Sequence, residues 1–396
     1  MRGKQKRLET SSDKESAGME NLPAGLTVGH ADDSVGLTGL TVLLFDSAVS
    51  ASAIVRGSAP ATSDFSTLDP IHGSPRIDGI LLTGGSCFGL AAVAGVQRFL
   101  EDRGQGLDVG VTGVPIVPAA AIFDIGLGDY TARPTARMAL DACLAASNAW
   151  PREGSVGAGT GATVGKFLGM ERAMRGGFGI SGCLSPAGAQ VVVVVVVNSF
   201  GDVWYPGRER IMAGARWQPD EADLANSGLL IAQGWRRVGF GPAAEVLPPV
   251  SAGAAGIMLG EPAFSGCAGS RVLSKTIERQ GLTGSLQAAG QQHEARLGPE
   301  NTTLVALVTT ARLDILQLRK LADFCMTGLA DVVYPACTIY DGDLSLAVSA
   351  GAVEEDLTTL CLLAQQMTAT AILSAVQKAE PAHGVPAWRD LNQSKV

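Results

Sequence analysis

The run from Val191 to Val197, seven valines without interruption, constrains the fold of this chain more than any other stretch. Branching at Cβ stiffens each side chain and favours extended backbone, and with no polar residue at alternate positions both faces of the strand must be covered. Such a strand belongs in the centre of a sheet with apolar layers on either side. It has strand length rather than membrane length, and no eighteen consecutive apolar residues occur anywhere.

Other strands are expected over residues 39–45, 51–55, 78–82, 302–309 and 344–348, where apolar and β-branched residues are bounded by Gly, Ser and Asp. Helical spacing governs Leu90, Val93, Val96 and Leu100, and again Leu318, Ala322, Cys325 and Leu329, with further helices over 136–149 and 353–378. Residues 78–100 therefore read as strand, glycine turn (Gly84, Gly85, Ser86) and helix. Pro115 and Pro118 make residues 111–123 an edge strand or an irregular buried loop. Strands grouped with apolar-faced helices predict helix packed on sheet. A four-layer α/β/β/α sandwich satisfies the pattern, and periodicity alone equally allows a three-layer doubly wound sheet.

Hydrophobic residues are 46% of the chain and charged residues 17%, enough apolar surface to fold most of it. The net charge of −8 gives no basic field for nucleic acid or anionic lipid, so neither is an expected partner. Residues 1–24 mix charges and serines with no apolar signal core, which predicts a disordered tail on a cytoplasmic protein. Residues 216–300 are weakly patterned and end in a polar run, which predicts an insertion and mobile linker. Seven dispersed cysteines and four scattered histidines form no C-x-x-C and no H-E-x-x-H, so no metal or cofactor is expected.

The polar run stops at Asn301 and an apolar strand starts at Thr302 with no turn between them. Threonine becomes a catalyst when it is N-terminal: its hydroxyl attacks while its own α-amine, with a pKa near about 8, takes the proton. Cleavage between Asn301 and Thr302 would create that amine, by attack of the Thr302 hydroxyl on the Asn301 carbonyl, an N-to-O acyl shift and hydrolysis of the ester. A glycosylation acceptor or plain strand threonines are the alternatives. Residues 157–166, Gly-Ala-Gly-Thr-Gly-Ala-Thr-Val-Gly-Lys, fail as a P-loop because Thr160 and Phe167 stand where Gly and Ser or Thr are needed. Lys166, if desolvated in a cleft, could stabilise a developing alkoxide, or be a solvated loop lysine. Asn198 closes the valine strand, where its amide could donate to an oxyanion or simply form a turn. Asp341 and Asp343 could tune an ammonium group, or make a polar turn.

Taken in order, the blocks at residues 28–30, 82–90, 114–124, 157–166, 197–202 and 301–303 resemble the self-processing aminopeptidases of peptidase family S58, the group of D-aminopeptidases, β-peptidyl aminopeptidases and nylon-oligomer hydrolases. The resemblance spans most of the chain. It implies an α/β/β/α sandwich in which one catalytic domain is built by two chains after self-cleavage, residues 25–301 and 302–396. It also implies a small peptide or amide substrate and homo-oligomers of the two-chain unit. By motif matching, Thr302 is the nucleophile, Lys166 the lysine beside it, Asn198 the oxyanion donor, and Asp341 and Asp343 the acidic pair behind the new amine. Gly84, Gly85, Ser86 and Phe123 fall to the substrate pocket. Three departures stand out: Phe123 replaces a tyrosine of some members, residues 216–300 are long, and Cys87 replaces a small residue. The expected reaction is amide hydrolysis through a Thr302 acyl-enzyme. Transfer of the acyl group to an amine, as in the similarly folded ornithine acetyltransferases, and an unprocessed non-catalytic scaffold are the alternatives.

Overall fold

The computed structural model describes residues 19, 21–72, 76–238, 245–249 and 301–392. Among these, nine strands are joined edge to edge: β1 (Leu26–Asp33), β2 (Thr38–Val55), β3 (Ala61–Ser63), β4 (Arg76–Thr83), β5 (Ala119–Ala121), β6 (Gly177–Leu184), β7 (Gln190–Asn198), β8 (Thr302–Ala311) and β9 (Leu344–Val353). Their order is β6-β7-β8-β9-β2-β4-β5-β3, with β1 also paired to β2. All pairs are antiparallel except β8 with β9 and β4 with β5.

The long β2 folds this ladder into two layers. Its first half pairs with β1 and β4, its second half with β9, and the register with β4 shifts between Leu44 and Val49. Bulges of this kind bend a strand and let it pass from one sheet to another. Leu43, Phe45, Ile80 and Leu82 consequently share one core between the two sheets with Val192, Val194, Val196, Leu304 and Leu346. The opposite faces take helices. Val191, Val193, Val195 and Val197, together with Val305 and Leu307 of β8, pack against helices Ile315–Val332 and Leu357–Lys378. Leu40, Val42 and Leu81 pack against helices Val93–Glu101 and Ala136–Ala145. The valine strand is thus central and covered on both faces, and the arrangement is the four-layer α/β/β/α sandwich rather than the doubly wound alternative.

Helix Leu357–Lys378 is long and apolar enough by composition to cross a membrane, yet Ala364, Ala371 and Ala375 are buried against the sheet. A Cβ at Gly179 of β6 would lie 2.1 Å from the Ala371 carbonyl oxygen, so this helix sits closer to the strand than any side chain there would permit.

Two predicted boundaries fall elsewhere in the structure. Leu22 is buried and its N–H donates to the Asn148 carbonyl, so packed chain begins before residue 25. Beyond Arg216, helix Ser227–Ala232 and strands Arg236–Val238 and Glu245–Leu247 are formed, with Ala225, Ser227, Leu230 and Arg237 buried. Apolar Ala and Leu set among polar residues carry this packing without a long periodic run. Residues 250–300 of the predicted linker, and residues 1–18 of the predicted tail, lie outside the described residues.

Candidate active site

Asn198 ends β7 and Thr302 begins β8, and the two are register partners in the antiparallel ladder. Directly opposed residues in such a ladder bring their Cα atoms within about 4.5–5.5 Å. A strand end packed on both faces fixes its last side chain against an equally rigid neighbour, and here Asn198 and Thr303 are fully buried and Thr302 nearly so. On the other side of β8, Asn301 bridges Asp341 in parallel fashion, and the Gly342 N–H donates to the Asn301 carbonyl oxygen at 2.8 Å. Thr302 Oγ1 donates to that same oxygen at 2.5 Å. The carbonyl oxygen of the Asn301–Thr302 bond therefore accepts from both the Thr302 hydroxyl and a backbone N–H, the kind of donor that can hold an oxyanion.

Lys166 is buried and donates through Nζ to Asn198 Oδ1 at 2.7 Å and to the Asn198 carbonyl at 3.0 Å. The Thr163 N–H also donates to Asn198 Oδ1, at 3.0 Å, which fixes the orientation of the amide. Its Nδ2 then donates to the Phe123 carbonyl at 3.0 Å. In this geometry the backbone donor on the Asn301 oxygen is Gly342, and the Asn198 amide is directed to Phe123. Phe123 meets Asn198 through its backbone carbonyl.

The two carboxylates are held by N–H and O–H donors. Asp341 accepts from Phe200 N at 3.2 Å, Thr338 N at 3.0 Å and Thr338 Oγ1 at 2.6 Å. Asp343 accepts from Thr303 N at 2.6 Å and Cys337 N at 2.8 Å. Burial raises the pKa of both above the ordinary carboxylate range. For Asp343 the charge on Asp341 adds to burial and the value reaches about 8, while hydrogen bonds and then Lys166 oppose the rise at Asp341. Burial thus disfavours charge on both carboxyls, and the Asp341 charge disfavours it further at Asp343.

Among the described residues the glycine turn is linked to this centre through intermediaries. Gly85 N donates to Asp124 Oδ1 at 2.7 Å, Ser86 N donates to the Ile122 carbonyl at 2.9 Å, and Phe123 lies between Ile122 and Asp124 in sequence. Gly84 has no room for a side chain because a Cβ would meet Asp124 Oδ2 at 2.1 Å. The structure thus brings Thr302, Asn301, Asn198, Lys166, Asp341, Asp343 and the Phe123 carbonyl together, with Gly84, Gly85 and Ser86 set behind them. Among the described residues no three metal-binding side chains cluster.

The sequence profile of peptidase family S58 matches residues 24–388. The chain belongs to that family. An uncharacterized aminopeptidase of Mycobacterium bovis is 32% identical to this S58 peptidase over 392 residues, 93% of this chain and 96% of the relative. Solved structures that share the fold include two aminopeptidases. One is a β-aminopeptidase of a Burkholderia species (TM-score 0.58, 17% identity, covering 94% of this chain and 92% of that one). The other is the L-aminopeptidase D-Ala-esterase/amidase of Ochrobactrum anthropi, a variant of the Ntn hydrolase fold (TM-score 0.59, 14% identity, 93% and 92%).

Several residues of this S58 peptidase that touch the centre carry no side-chain motif. Gly342 contributes a backbone N–H, and a Cβ there would approach Thr302 Oγ1 and the Ala59 carbonyl, each within 2.7 Å. Its place between Asp341 and Asp343 is the one available signal. Thr163, Tyr340 and Arg237 act through long-range hydrogen bonds that no spacing announces.

Proposed function

We propose that this S58 peptidase is an N-terminal-threonine amidohydrolase of aminopeptidase type, which cleaves its own Asn301–Thr302 bond and then uses Thr302 as nucleophile. The observation that carries this reading is the placement of Thr302 Oγ1 and the Gly342 N–H on one oxygen, the Asn301 carbonyl. In the first reaction a bond forms between Thr302 Oγ1 and the Asn301 carbonyl carbon, the bond from that carbon to the Thr302 nitrogen breaks, and the hydroxyl proton ends on the nitrogen. Water then hydrolyses the ester, leaving a carboxylate on Asn301 and a free amine on Thr302. In the second, Oγ1 attacks the amide of a small peptide or amide substrate, the α-amine carries the proton to the leaving amine, and water releases the acyl group.

The surroundings support these roles. Gly342 N–H is aimed where the oxyanion develops. Lys166, held by Asn198 at the strand end opposite Thr302, supplies positive charge that favours an alkoxide. Asp343, bonded to the Thr303 N–H, orients the start of β8.

A panel of amino-acid p-nitroanilides, assayed with wild type, Thr302→Ser and Thr302→Ala, tests the reading. The wild type turns over, Thr302→Ser retains measurable activity, and Thr302→Ala is neither cut nor active. Undiminished turnover by an uncut Thr302→Ala protein would overturn it.

A further inference from the structure

We infer that Arg237 is a positioning residue for Lys166, and that it braces the lysine loop against the loop carrying Asp341 and Asp343. This role rests on the function proposed above. Arg237 lies on the short strand Arg236–Val238, which pairs only with Glu245–Leu247 among the described residues and stands apart from the main sheet. It is nevertheless buried. Its Nη1 donates to the Lys166 carbonyl oxygen, and at 3.4 Å to that of Phe167. Its own carbonyl accepts from the Tyr340 hydroxyl at 3.2 Å.

Two backbone contacts complete the hold on the Lys166 peptide. Lys166 N donates to the Phe200 carbonyl at 3.0 Å, and Gly169 N donates to the Lys166 carbonyl at 3.0 Å. With the peptide fixed, the lysine stem carries Nζ to the strand end at Asn198. A long flexible stem needs such anchoring, because a point charge on four methylenes has no preferred direction of its own.

Tyr340 extends the brace to the other loop. Its ring stacks on Phe200 with centroids 4.9 Å apart, the Phe200 N–H donates to Asp341, and the Tyr340 carbonyl accepts from Asn301 Nδ2 at 3.3 Å. After a cut at Asn301–Thr302, Arg237 and Tyr340 would belong to different chains. The brace would then tie the lysine of one chain to the carboxylates of the other.

The test uses the full-length protein with Arg237→Met, Arg237→Lys and Tyr340→Phe, following the rate of Asn301–Thr302 cleavage and, in cut enzyme, kcat and KM on the best p-nitroanilide. Loss of these charge-assisted, positioning hydrogen bonds predicts about a tenfold fall in cleavage rate and in kcat for Arg237→Met. KM stays within roughly twofold, since uniform binding is untouched. Arg237→Lys recovers part of kcat because it restores a cationic donor. Tyr340→Phe, which keeps the stack, shows a smaller fall that is not additive with Arg237→Met. Wild-type kcat and cleavage rate in Arg237→Met would overturn the inference alone. So would a loss that tracks its melting temperature and is not rescued by lysine. A wild-type chain that stays uncut removes the proposed function and this inference with it.

Discussion

Asn198 and Thr302 stand opposite each other as the last residue of one central strand and the first of the next. This register sets the site. A shift of one residue would turn Thr302 to the other face of the sheet, away from the lysine that Asn198 holds. The two strands are pinned by the valine run and its partners, so the position of Thr302 is a consequence of core packing.

Lys166→Met tests the charge at this strand end. The methionine keeps most of the stem's volume, and Asn198 Oδ1 keeps the Thr163 N–H as donor. Removing the ammonium is expected to slow both self-cleavage and turnover by roughly a hundredfold or more, the range of a lost acid–base or electrostatic group. A urea melt alongside the rate measurement separates this from unfolding, because the variant should remain folded at assay temperature.

Gly342→Ala probes the backbone donor without removing it. The new Cβ would meet Thr302 Oγ1 and the Ala59 carbonyl at 2.7 Å, and a backbone carbonyl cannot easily yield. Self-cleavage should fall at least tenfold, because the hydroxyl and the donor can no longer share the Asn301 oxygen. Time-resolved gels of freshly purified variant and wild type read the difference directly.

His30 makes the fold sensitive to acid. Burial, aided by the Arg152 charge and opposed by Asp32 and by a hydrogen bond to the Arg152 backbone, lowers its pKa to about 4. Between that value and the unfolded value of about 6.5 the unfolded chain binds more protons than the native one, so stability rises with pH across this window and is lost as pH falls through it. His30→Gln should lack this slope. Urea unfolding from pH 4 to pH 7 should show the wild type losing on the order of 3 kcal/mol more than the variant as pH falls. Parallel curves for the two proteins would contradict the assignment.

Much of this architecture is legible because its strands are strongly patterned. The valine run announces a central strand, and the abrupt change at Asn301–Thr302 marks the start of β8. Asn198, Lys166, Asp341 and Asp343 become meaningful together only through the family resemblance, and the fold then places them together. What a sequence cannot display are contacts made by backbone groups and by distant segments. The Gly342 N–H has no side-chain signature, and Phe123 meets Asn198 through its backbone carbonyl. Arg237 joins the site through tertiary packing of a weakly patterned stretch, 71 positions from Lys166 along the chain. The bend in β2 between Leu44 and Val49, which creates the second layer, is likewise a property of pairing and not of local composition.

Whether Asn301–Thr302 is this protein's first substrate can be read directly by denaturing mass spectrometry of the purified full-length chain. Two species are expected, one ending at Asn301 and one running from Thr302 to Val396, with only the intact mass for Thr302→Ala. A wild-type protein that stays at its full mass of 40.6 kDa after prolonged incubation would contradict self-cleavage and the nucleophile it creates.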